Sequence, residues 1–91
     1  MTYVLISYDI SDDKKRNRVA GLLKDHGKRV QYSVFECHLD ADRLNDLVVG
    51  LDRFAEGDDS IRVYPICASC LKRAVILGRC ESFDEDTYYV V

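Results

Sequence analysis

Along the chain the apolar positions fall into separated groups whose period changes from one to the next. Tyr3-Val4-Leu5-Ile6-Ser7-Tyr8-Asp9 is apolar, β-branched and aromatic and stops at polar residues, which predicts a buried strand. Ser11 then reads as the N-cap of a helix, with Asp12 and Asp13 in its first turn, where exposed backbone N–H groups favour acids. This helix runs to about His26, with Val19, Leu22 and Leu23 toward a core and Gly27 as its C-cap. Its outward face carries Lys14, Lys15, Arg16, Arg18 and Lys24.

Residues 29–39 are strand-like, with Val30, Tyr32, Val34 and Phe35 interrupted by Gln31 and Ser33. Period alone leaves open one bent strand or two short ones joined by a tight bend. Asp40 or Asp42 caps a second helix, in which Leu44, Leu47, Val48, Leu51 and Phe54 repeat at helical spacing. The cluster Gly57-Asp58-Asp59-Ser60 ends it, and Ile61-Arg62-Val63-Tyr64-Pro65-Ile66 alternates as a strand whose Pro65 points to a sheet edge. Ala74-Val75-Ile76-Leu77 and the tail Thr87-Tyr88-Tyr89-Val90-Val91 are further β-prone segments. The order β-α-β-β-α-β with extra C-terminal strands fits an α+β, ferredoxin-like sandwich over residues 1–91, both helices lying on one face of an antiparallel sheet.

Composition narrows the function classes. A chain of 91 residues with 47% hydrophobic and 32% charged residues and one proline is globular rather than disordered. The longest apolar run is far short of the roughly 20 residues of a membrane span, and no basic-then-apolar leader opens the chain, so a cytoplasmic protein without membrane contact is expected. The net charge of −3 argues against a uniformly basic nucleic-acid binder. It conceals blocks: residues 14–29 carry +6, whereas residues 36–60 carry −6.

Asp9 ends the first strand just before a helix. A half-shielded carboxylate there suits Mg²⁺ or Mn²⁺, which prefer hard oxygen ligands; equally it suits a turn, hydrogen-bonding the next amides. One carboxylate holds a metal poorly, and a two-fold partner would supply a second Asp9. The basic helix face would neutralise phosphates, or else is simply solvated; Arg29, Gln31 and Ser33 extend the polar surface. Cys67-Ala-Ser-Cys70 is a CxxC pair. Zinc needs two further ligands, for which Cys37, His38 and Cys80 are the candidates, without a second close pair. Redox chemistry asks for the pair at a helix start after a strand, an order the pattern does not show, so free structural thiols are expected. The aromatic tail is expected to pair with the sheet of a second subunit, clasping a homodimer by exchanged strands.

Tyr8-Asp9-Ile10-Ser11-Asp12-Asp13, Arg16-Asn17-Arg18-Val19-Ala20 and Arg29-Val30-Gln31-Tyr32-Ser33-Val34-Phe35-Glu36 resemble the small CRISPR-associated protein two family, the smaller of the two universal spacer-acquisition proteins. Residues 58–65, followed by Cys67 and Cys70, are similar to that family's next strand, and the resemblance runs from residue 3 to about 79. It implies a ferredoxin-like fold and a symmetric homodimer that captures and inserts short DNA duplexes with the larger CRISPR integrase subunit. It also implies metal-dependent nuclease activity on RNA or double-stranded DNA in some members. Residue by residue, it places the metal-binding carboxylate on Asp9 with Tyr8 beside it. Cleavage or backbone-binding arginines fall on Arg16 and Arg18, and a further Arg and aromatic on Arg29 and Phe35. The expected nucleic-acid surface is Lys14, Lys15, Arg16, Arg18, Arg29, Gln31 and Ser33, for double-stranded DNA and single-stranded RNA. A ferredoxin-like RNA-binding or regulatory module without catalysis is the alternative.

Overall fold

A computed structural model describes residues 1–78 and the backbone of a short strand at Tyr89–Val90. In chain order the elements are β1 (Thr2–Asp9), α1 (Asp13–Lys24), β2 (Gly27–Gln31), β3 (Val34–Leu39), α2 (Ala41–Asp52), β4 (Ser60–Ile66), α3 (Ala68–Lys72), β5 (Val75–Ile76) and β6 (Tyr89–Val90). The first four strands form one antiparallel sheet in the order β2-β3-β1-β4. That order, with two intervening helices packed on the sheet, is the ferredoxin-like α+β sandwich.

Strand alternation decides what each face carries. Val4, Ile6 and Tyr8 of β1 and Phe35, Cys37 and Leu39 of β3 are buried in one cluster with Val19, Ala20 and Leu23 of α1 and Leu47 and Leu51 of α2. Both long helices therefore cover the same side. The residues between them in sequence, Tyr3, Leu5, Ser7 and Asp9 on β1 and Val34, Glu36 and His38 on β3, point to the opposite side and are only half-buried or exposed. There Tyr3 and His38, register partners, stack with ring centroids 3.9 Å apart.

Several local expectations are corrected. Asp12, not Ser11, caps α1: its carboxylate accepts from the Lys15 amide at 2.8 Å, while the Ser11 amide donates to Asp59 at 3.2 Å. The C-cap is Asp25, and Gly27 already belongs to β2. Gly27 is needed for closeness, since a Cβ there would lie 2.4 Å from both Cys37 Sγ and the Glu36 carbonyl oxygen. Residues 29–39 are two strands, β2 starting two residues earlier than the apolar pattern and shifting register between Arg29 and Gln31. Of the two cap candidates for α2, Asp40 is the one used, accepting from the Arg43 amide at 2.8 Å. Helix α3 is new, and the strand expected at 74–77 shortens to Val75–Ile76. In the single chain Tyr89–Val90 pairs with β5 in parallel; residues 87, 88 and 91 of the expected tail strand lie outside the described residues, as does Cys80.

Because backbone as well as side chain crowds position 27, Gly27→Ala forces β2 away from β3. We expect Gly27→Ala to lose about 1–3 kcal/mol of stability, the usual range for overpacking. Chemical denaturation of the purified variant measures it, and an unchanged midpoint would mean that β2 yields freely.

Candidate functional site

The carboxyl end of β1 and the start of α1 form a corner tied from three sides. Asp12 caps the helix from within. From α1, one guanidinium nitrogen of Arg16 donates to the Ile10 carbonyl at 3.0 Å and lies 3.4 Å from the Ser11 carbonyl, while another pairs with Asp13. From the loop before β4, Asp59 accepts from the Ser11 amide and from Lys15 Nζ, the latter at 2.8 Å. These contacts fix residues 10–12, and with them the direction in which β1 ends.

Asp9 sits at that end, exposed, opposite Ser60 of β4 and on the face away from the helices. Tyr8, one residue back, points the other way: its ring is buried at 3% exposure and stacks on Phe35 with centroids 6.3 Å apart. Its hydroxyl donates to the Tyr32 carbonyl at 3.3 Å and its amide to the Ser33 carbonyl at 3.1 Å, so Tyr8 anchors the β2–β3 turn. Asp9 and Tyr8, adjacent in sequence, are thus on opposite sides of the sheet. Phe35 is fully buried core.

The basic residues divide by environment. Lys14 and Arg18 are exposed on α1, and Arg29 and Gln31 are exposed on β2. Ser33 is half-buried in the turn. Arg16 was expected on the outward face; it is instead folded against the corner, its side chain 22% exposed, and its binding capacity is largely taken up by Ile10, Ser11 and Asp13. Lys15 is likewise drawn to Asp59, with side-chain exposures of 21% and 15%.

Tyr32 was not singled out by sequence reasoning. It is 68% exposed, with the Arg16 guanidinium 5.7 Å and the Arg29 guanidinium 6.0 Å from its ring centroid, and Arg29 also lies 5.2 Å from the Phe35 ring. The signal available was a large aromatic in a two-residue turn between polar neighbours, a place where no core needs it. The turn thus joins the motif around Tyr8 to the motif around Arg29.

Among the described residues no three of His, Cys, Asp and Glu come together as a metal cage. Asp9 stands as a single exposed carboxylate at the end of β1. Cys67 and Cys70 are exposed at the far end of β4, where Cys67 is the N-cap of α3. The pair does follow a strand and open a helix, contrary to the sequence reading, because the five residues of α3 are too few to show a period. Cys37 is buried, and desolvation pushes its thiol up to about 11. No described helix is long and apolar enough to cross a membrane.

The sequence signature of the family described as CRISPR associated protein Cas2 matches residues 1–74. The chain is 43% identical over 90 residues to a Chloroflexus aurantiacus protein named CRISPR-associated endoribonuclease Cas2 3, covering 98% of this chain and 97% of that one. It is 48% identical over 62 residues to the Thermus thermophilus CRISPR-associated endonuclease Cas2 2, covering 67% and 69%. Among solved structures, a chain of a partial Cas6-RT-Cas1–Cas2 complex superposes with a TM-score of 0.69 at 29% identity, covering 97% of this chain and 94% of that one.

The corner also sets a pH response. The Lys15 ammonium first, and then the Ser11 amide, hold the Asp59 carboxyl below the usual carboxylate range. A carboxylate depressed on folding contributes stability above its unfolded pKa and loses it as pH falls through the folded one. We expect carboxyl-detected NMR to show Asp59 titrating below the usual aspartate range, and Asp59→Asn to remove the acid-side part of the stability curve that this group supplies. A midpoint for Asp59 in the ordinary range would show that the tie does not persist in solution.

Proposed function

The chain belongs to the CRISPR associated protein Cas2 family, and on that premise we propose that it works as a homodimer in CRISPR adaptation, binding duplex DNA and cleaving phosphodiester bonds with Mg²⁺ or Mn²⁺. The observation that carries the reading is the placement of Asp9: an exposed carboxylate on the sheet face that neither α1 nor α2 covers. That face also presents Leu5 and its register partner Tyr64, the latter 47% exposed, beside the Tyr3–His38 stack. A second copy packed there would bury this apolar strip and bring two Asp9 carboxylates to one axis, completing a site that one chain leaves half made. The names of the Chloroflexus relative, an endoribonuclease, and of the Thermus relative, an endonuclease, support nuclease chemistry, and the likeness to a chain of a Cas1–Cas2 assembly supports an integrase subunit as partner.

Asp9 of each protomer would hold the metal, which when bound polarises the phosphate and lowers the pKa of an attacking water. The remaining work falls to the chain. Lys14, Arg18 and Arg29 neutralise the nucleic-acid backbone, with Gln31 and Ser33 as neutral hydrogen-bonding neighbours. Arg16, Lys15, Asp12 and Asp59 keep the end of β1 fixed, so that the carboxylate meets its ligand without a reorganisation cost. Tyr8 acts through the Tyr32–Ser33 turn and so positions the basic surface. Binding resides on α1 and β2, and is therefore separable from cleavage at Asp9.

We expect Asp9→Asn to abolish metal-dependent cleavage of RNA and DNA substrates while circular dichroism and molar mass by light scattering stay those of the wild type. Cleavage at the wild-type rate in preparations freed of contaminating nuclease would remove Asp9 from the reaction and leave the non-catalytic binding reading.

Arg18→Ala and Lys14→Ala should each weaken duplex binding and reduce the slope of log K against log salt by about 1 per lost phosphate contact. Arg16→Ala should instead lower thermal stability, because it unties the corner. Unchanged slopes for the first two variants would make α1 a merely solvated face.

A further inference from the structure

Cys67 and Cys70 have no part in the corner. The seven residues of β4 separate them from it, about 20 Å of strand at 3.3 Å per residue. Both are exposed. Cys67 caps α3 with extended backbone (φ −69°, ψ 159°), and its sulfur accepts from the Cys70 amide at 3.4 Å. Ser69 Oγ lies 3.2 Å from the same sulfur. Residues three apart on a helical turn have Cα atoms about 5 Å apart, within the roughly 4.4–6.8 Å between Cα atoms that a disulfide bridges. Leu71, the next residue, is buried at 3% exposure and holds the turn in place.

We propose that Cys67 and Cys70 are a thiol–disulfide modification site, closing a reversible intramolecular disulfide in which Cys67 attacks and Cys70 resolves. The oxidant is a low-molecular-weight disulfide such as oxidised glutathione. The Cys67 thiolate attacks one of its sulfurs, the S–S bond breaks, and one thiolate leaves with a mixed disulfide remaining on Cys67. Cys70 then gives its proton to solvent and attacks Cys67 Sγ, expelling the second thiolate. Two electrons pass from the pair to the small disulfide, which departs as two thiols.

The two sulfurs are made unequal by their surroundings. The Ser69 hydroxyl first, and then the Cys70 amide, hold the Cys67 thiol down at about 7, whereas the neighbouring Cys67 sulfur pushes the Cys70 thiol up. A thiol near ambient pH is the better attacking group, and one kept protonated until the mixed disulfide forms suits resolution. Cys37 provides the contrast: enclosed in the core, it is not reachable by the small disulfide.

The test is incubation of the full-length protein in glutathione redox buffers, followed by alkylation of remaining thiols and peptide mapping. In the wild type we expect one Cys67–Cys70 disulfide, lost again on adding dithiothreitol. Cys70→Ser should accumulate one glutathione per chain on Cys67, and Cys67→Ser should react about tenfold more slowly at neutral pH. Both positions are exposed, and far-UV circular dichroism confirms that the serine variants fold. Wild-type protein whose Cys67 and Cys70 stay reduced in the most oxidising buffer overturns the proposal. So does a disulfide mapped to Cys80 or between chains, or a Cys70→Ser protein that takes up no glutathione.

Discussion

The turn from β1 into α1 is closed by charges from two separate parts of the chain, the start of α1 and the loop before β4, and the geometry of the candidate site depends on that closure. Arg16 reaches back from the first turn of the helix to the carbonyls of Ile10 and Ser11, and Asp59 reaches across from the loop before β4 to Ser11 and Lys15. Neither contact is deeply buried, so neither has the strength of a desolvated ion pair. Their effect is directional: they restrain a short loop that would otherwise let the last residue of β1 swing. An arginine spent in this way is unavailable to a phosphate. The surface proposed to bind phosphates therefore has fewer free cations than the density of basic residues on α1 suggests.

Much of this was legible in the sequence because the fold is written in two simple periods. The apolar, β-branched run over residues 3–9 and the i, i+3, i+4 spacing of Leu44, Leu47, Leu51 and Phe54 each had one reading, and the element order followed from them. What was not legible was set by contacts between distant segments. Ser11 and Asp12 are both good caps in isolation; Asp59, 48 residues away, engages Ser11 and leaves the cap to Asp12. Gly27 reads as a helix terminator until β3 is laid against it and the Cys37 sulfur takes the space of a side chain. In the candidate site, Asp9 was found because it stands alone at a strand end. Tyr32 was missed because its importance lies in the two guanidinium groups around it, one from α1 and one from β2.

The same distinction explains the cysteines. CxxC is short enough that spacing alone does not separate a metal ligand, a redox pair and two inert thiols. Burial and local hydrogen bonding separate them: Cys37 is sealed in the core, and Cys67 receives hydrogen bonds that favour its anion. Chemistry in a chain this small is thus sorted by position in the sheet. One end of the central strands carries the carboxylate and the cations, and the opposite end carries the sulfurs.

The alternation of Tyr8 and Asp9 also acts on the folding reaction itself. Strand β1 lies at the centre of the sheet, paired on both sides, and its side chains repeat every two residues. A slip of one residue against β3 would turn Asp9 into the apolar cluster and put the Tyr8 ring into water, with Val4 and Ile6 exposed as well. The desolvation of a lone carboxylate makes that arrangement far less stable than the correct one. The carboxylate at the end of β1 therefore also disfavours the slipped register of the strand that presents it.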